Sequence, residues 1–113
     1  MFLLSSLALF SAATAGIADA EANRVNYSNC LTDFTVTHLD QKTERKVFKK
    51  AAAEACLDER NAMLTAMKKD ELEFGSTEQE AVDYATEEAD GVLFAFVGGY
   101  SGYMSSNTRP VKE

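Results

Sequence analysis

Cys30 and Cys56 are the only cysteines in the chain. Two thiols allow a single intramolecular pairing, and whether it forms depends on the redox compartment. The N-terminus bears on that. Residues 1–20 read MFLLSSLALFSAATAGIADA, an apolar run from Phe2 to Phe10 broken by Ser5 and Ser6, then small residues ending in Ala18-Asp19-Ala20. An apolar centre followed by an A-x-A site is the order of an export signal, although no Lys or Arg precedes the run. Cleavage is expected after Ala20, with Ala15 as second choice. The apolar stretch is well short of the roughly 20 residues a membrane span needs.

Export places both thiols where disulfides persist, so a Cys30–Cys56 bond is expected. It closes a 26-residue separation, worth about 3–4 kcal/mol by the loop-entropy relation. Removing 20 of the 113 residues leaves one domain, with a core only marginally able to hold itself together. A staple of that size is a large share of its stability. The expected plan is a signal peptide at 1–20, a helical domain at 21–104 and a flexible tail at 105–113.

The formal net charge of −7 disfavours nucleic acid, which needs clustered cations. It also disfavours contact with anionic lipid after signal cleavage. It permits a basic protein partner, and it keeps a small exported protein soluble.

Periodicity predicts three helices. From Asn23 to Leu39, Tyr27, Cys30, Leu31, Phe34 and His38 fall on one helical face, against the weak helix preference of Thr32, Thr35, Val36 and Thr37. After a short connection at 39–43, capped by Asp40 or Thr43, a second helix runs unbroken from Arg45 to Lys69. Val47, Phe48, Ala51, Ala55, Ala62, Met63 and Ala66 line its broad face, and no Gly or Pro interrupts it. A fold-back near Thr43 puts both cysteines at one height. Gly75 ends this helix, and Ser76 with Gln79 or Thr77 with Glu80 offers a capping box. The third helix spans Glu78 to Val97, with Ala81, Ala85, Ala89, Val92, Leu93, Phe96 and Tyr100 inward, and stops at Gly98-Gly99. The expected fold class is therefore all-α: a small three-helix arrangement with a disulfide-linked antiparallel helical hairpin.

The chemistry-bearing residues point away from catalysis. Cys30 and His38, eight apart on a helix, are about 12 Å from each other, too far for a thiol–imidazole pair. His38 reads as a helix-end residue. One His and two separated Cys lack zinc spacing, and Glu87, Glu88 and Asp90 lack the alternation and glycine of a calcium loop. No metal or cofactor is expected. Glu80, Asp83, Glu87 and Asp90 share one helical side, the only carboxylate set an acid–base reading could use. Gly98, Gly99 and Gly102 give no phosphate-binding pattern.

Two surfaces remain. Lys42, Arg45, Lys46, Lys49 and Lys50 form a basic patch. Gly91, Ala95 and Gly99 recur every four residues in GVLFAFVGGYSGYM, a spacing that permits close helix approach. Phe94, Phe96, Tyr100 and Tyr103 beside them are candidate interface anchors. The sequence thus reads as an acidic periplasmic or secreted accessory protein acting by protein–protein contact, with an unidentified partner or as a homodimer. The alternatives are a periplasmic stress chaperone or inhibitor of a basic partner, and a hydrolase using the acidic helix side.

Overall fold

A computed structural model describes the chain from residue 2 to 113, with side chains from residue 19 onward. The apolar centre expected of a signal peptide lies outside the described side chains. Four helices follow in order: α1 (Phe2–Asp40), α2 (Arg45–Ala53), α3 (Leu57–Glu73) and α4 (Glu78–Ser106). The fold is all-α, but it is a four-helix bundle, not the expected three-helix arrangement.

The correction falls at Glu54-Ala55-Cys56, inside the expected 45–69 helix. The amides of Glu54 and Ala55 donate back to Ala51 and Ala52 at 3.1 and 3.2 Å, tightening the last turn of α2. Cys56 then adopts a left-handed conformation, φ 57°, and starts α3 by accepting from the Arg60 amide at 2.9 Å. Nothing in AAAEACLDER announces this break, since its residues mostly favour helix. The reason is tertiary: Cys56 is bonded to Cys30, with Cα atoms 6.1 Å apart. A left-handed non-glycine residue costs about 1–2 kcal/mol, against about 3–4 kcal/mol from closing the loop. The bond wins. It therefore ties the middle of α1 to the joint between two helices, rather than to the flank of one long hairpin helix.

The other helix ends follow local rules. At the end of α1, Lys42 is left-handed, φ 54°, and the amides of Lys42 and Thr43 return to Leu39 and His38 at 3.1 and 3.0 Å. Gly75, φ 98°, repeats the arrangement after α3, with Gly75 and Ser76 bonding back to Leu72 and Glu71. Both are Schellman closures, which satisfy carbonyls the helix leaves free. Thr77 and Glu80 form the expected capping box of α4, while the Ser76 hydroxyl goes to the Glu71 carboxylate at 2.8 Å. Neither expected cap of α2 is used: Glu44 holds that position without a side-chain bond. Asp40 pairs with Arg109 and Thr43 with His38.

α4 also overruns its expected stop at Gly98-Gly99 by two turns, ending where Asn107 turns left-handed, φ 55°. Tyr100 is the physical reason. It is fully buried, stacked on Phe48 with centroids 3.9 Å apart. Its hydroxyl donates to the Thr43 carbonyl at 2.6 Å and lies 3.2 Å from that of His38. Burying a side chain of this size yields about 1.5–3 kcal/mol, more than a helical glycine costs.

One core joins all four helices: Tyr27 and Leu31 from α1, Phe48 and Ala52 from α2, Met63 and Met67 from α3, and Ala89, Leu93 and Tyr100 from α4. Ser105 and Ser106, the start of the expected tail, close α4. Beyond them the chain runs back along α1: Arg109 pairs with Asp40, Lys112 with Asp33, and Glu113 with Arg24.

Candidate functional site

α4 is two-sided. Ala81, Ala85, Ala89, Leu93 and Tyr100 are buried along its inner face. On the opposite side Gly91, Phe94, Ala95, Gly98, Ser101 and Gly102 are exposed. Phe94 is 62% exposed in the middle of this strip. A Cβ built at Gly91, Gly98 or Gly102 meets nothing within 4 Å. Gly99, part of the expected every-fourth pattern, is half-buried, and a Cβ there would come within 3.2 Å of the Tyr103 ring. The open small residues are thus Gly91, Ala95, Gly98 and Gly102, spaced alternately by four and three. That spacing holds one face of a straight helix.

Of the four candidate interface aromatics, only Phe94 is open. Tyr100 is inside, and Phe96 and Tyr103 are half-buried. Burial raises the Tyr100 phenol above its ordinary pKa, partly opposed by the hydrogen bond to Thr43.

The four carboxylates on one side of α4 are engaged separately. Glu80 accepts from the Thr77 amide, and its bonds to Thr77 hold its carboxyl below the usual range. Asp83 accepts from the Gln79 amide nitrogen at 2.8 Å. Glu87 is exposed. Asp90 pairs with Arg60 of α3 at 2.7 Å. No two of them meet in a shared, desolvated site, which acid–base division of labour requires.

The Arg60–Asp90 pair is a feature the sequence did not reveal. Arg60 also reaches the Tyr27 hydroxyl at 3.5 Å, linking α1, α3 and α4 beside the disulfide. Burial opposes the guanidinium charge, but its bonds to Tyr27 and Asp90 outweigh that and raise its pKa. Its only sequence signal is a cation flanked by the apolar faces of α3, which many surface residues share.

Cys30 and His38 do not meet. His38 places Nδ1 2.8 Å from the Thr43 hydroxyl and its ring 4.4 Å from Phe34. Cys30, Cys56 and Glu59 bring candidate metal-binding atoms within 4.8 Å of one another, but both sulfurs are committed to the disulfide and neither is a thiolate. Metal coordination by cysteine requires the thiolate.

The basic patch is on α2 and the turn before it. Lys42, Arg45, Lys46, Lys49 and Lys50 are all exposed, with Val47, 55% exposed, among them. Arg24, Arg60, Lys68, Arg109 and Lys112 each have an acidic partner, whereas Lys42, Arg45, Lys46, Lys49 and Lys50 form no ion pair among the described residues. Among the described residues no helix is long and apolar enough to cross a membrane.

These features define the class as a small disulfide-tied four-helix bundle whose last helix keeps an open outer face. The chain matches no protein-family model, no curated protein and no solved structure.

Proposed function

We propose that this is an exported accessory protein, periplasmic or secreted, that acts by protein–protein contact through the outer face of α4. The observation that carries the reading is Phe94. A large aromatic side chain stands in solvent, flanked by glycines and alanine that let a partner's backbone approach. Aromatic anchors set among small neighbours are what contact surfaces use. The leader-like first 20 residues and the Cys30–Cys56 bond support export. The scattered engagement of Glu80, Asp83, Glu87 and Asp90 favours contact over hydrolysis.

The test is affinity capture from the native envelope with wild type and Phe94→Asp side by side. Phe94 lies outside the core, so the variant should melt within a few degrees of wild type while losing its bound partner. Equal capture by both proteins would remove the outer face of α4 from the function. Intact mass of the recovered protein tests export: the chain should begin at Glu21 and be lighter by two hydrogen atoms for the disulfide.

A further inference from the structure

The cations of this acidic chain are unevenly placed. Lys42, Arg45, Lys46, Lys49 and Lys50 fall in a stretch, 42–50, that holds one acid, Glu44. Five cations against one carboxylate give it +4, so the rest of a chain of −7 carries −11. All five are exposed and form no ion pair among the described residues. Arg45 with Lys49, and Lys46 with Lys50, are like charges four apart, which weaken a helix. An anion docked across them relieves that repulsion. Phe48 and Ala52 turn the apolar side of α2 into the core. Lys46 and Lys50, two residues either side of Phe48, lie on the opposite side of the helix. They line a shallow, open depression of about 360 Å³ together with Val47, Ala51 and Glu54, and Val47 is largely uncovered there. We propose that α2 is a docking face for an acidic helix of a protein partner. That helix seats one apolar side chain over Val47 and Ala51 and sets carboxylates against the cations.

Charge and spacing select this occupant. The Arg45–Lys49 and Lys46–Lys50 rows each advance about 6 Å along the helix axis. Carboxylates four apart on a second helix repeat at the same distance, so both rows are met at once. Lysine stems and Val47 also offer apolar surface, which a bare inorganic anion would leave unused. Glu54 repels carboxylates from the C-terminal end of α2, so the partner's acids gather towards Arg45 and Lys46. A lipid surface fits less well. An interfacial helix lays an apolar face into the bilayer, and α2 turns that face to the core. An anionic bilayer also repels a body carrying −11, whereas a partner helix need touch α2 alone. α2 rests on the Tyr100 side of α4, and Tyr100 is buried on the side away from Phe94. The two surfaces therefore look away from each other, and α2 can hold a partner whether or not Phe94 does.

The probe is a capped, fluorescein-labelled peptide of about fifteen residues, long enough to form helix. It is built of alanine, with glutamates four apart and one central leucine. Titrated with the full disulfide-bonded chain, its anisotropy should saturate with a Kd below about 0.1 mM at about 0.05 M salt, and the Kd should rise at least about tenfold by about 0.5 M. Amide shifts should move at residues 42–54 and stay still around Phe94. The same peptide with glutamine for glutamate should not bind. Lys46→Glu/Lys50→Glu changes exposed residues, so it should melt within a few degrees of wild type and yet lose the acidic peptide. Val47→Ser should weaken binding several-fold. Phe94→Asp should bind as wild type does, which separates this site from the outer face of α4. No saturable binding, or binding indifferent to Lys46→Glu/Lys50→Glu, would overturn the proposal. So would a chain that sediments with vesicles of anionic phospholipid while ignoring the peptide, because lipid headgroups would then be what α2 meets.

Discussion

The joint between α2 and α3 and the second half of α4 invert what their compositions suggest. AAAEACLDER is among the best helix-forming stretches in the chain, yet it breaks at Cys56. GVLFAFVGGYSG carries four of the chain's six glycines, yet it stays helical to Ser106. The difference lies in what each segment is tied to. Cys56 is drawn toward Cys30, and the backbone yields. Tyr100 is clamped between Phe48 and the carbonyl of Thr43, and the glycines before it are held in register. Propensities of about 1 kcal/mol per residue are small beside a covalent bond or a buried aromatic ring.

Removing the clamp is the harshest way to break this contrast. Tyr100→Ala leaves a cavity against Phe48 and should cost about 3–5 kcal/mol, read from urea unfolding. Hydrogen exchange should show residues 98–106 losing protection before the rest of α4. Uniform loss of protection would mean the glycine-rich turns hold themselves. The disulfide comes next. Replacing Cys30 and Cys56 together by Ser should cost about 3–4 kcal/mol. If the tether is what breaks the helix, Cα chemical shifts at residues 54–57 should move to helical values. A left-handed residue 56 persisting in the double variant would assign the break to packing of α2 on α4 instead.

The same contrast explains what could be read from the residues alone. The helix end at Gly75, the Thr77–Glu80 capping box and the inner face of α4 follow from patterns a few residues apart, so local sequence carries them; the left-handed closure at Lys42 has no glycine to announce it. The disulfide was legible because two cysteines have one pairing. Its consequence for backbone shape was not, because a tether sets a distance and leaves open which residue bends. The continuation of α4 was hidden for a similar reason: Tyr100 meets Thr43 across 57 positions of sequence. In the candidate site, composition put Phe94 and Tyr100 into one apolar stretch of interface candidates, although helical spacing also set Tyr100 on the inner face. Packing decides between the two roles: Tyr100 is buried and Phe94 stands open.

A smaller effect tests whether α1 is as well fitted as its neighbours. Thr32 and Thr37 donate to carbonyls four residues back, at 3.0 and 3.1 Å. Thr35 is fully buried, and its hydroxyl has no partner. An unsatisfied buried hydroxyl costs about 1–3 kcal/mol. Thr35→Val keeps the shape and removes the polar atom, so it should raise stability by about 1 kcal/mol in urea. A loss instead would show that the hydroxyl holds a buried water, which Val would strand.

The mildest change is also the most discriminating about α4. If distant anchors hold this helix, its outer glycines are not there for conformational reasons, and none of them needs positive φ: among the described residues Gly75 is the one glycine that has it. Gly98→Ala meets no atom within 4 Å, so the monomer should gain about 0.5–1 kcal/mol by helix propensity. A methyl is also small enough to tolerate at a helix contact, where leucine is not. Gly98→Ala and Gly98→Leu should therefore agree in stabilising the single chain and diverge in partner capture: Ala weakening it modestly, Leu abolishing it. Glycine at this position would then be a residue that the fold alone does not require, kept where a close approach from outside does. If Gly98→Ala destabilised the isolated chain, the second half of α4 would depend on its glycines after all, and the contrast with the α2–α3 joint would fail on the side of α4.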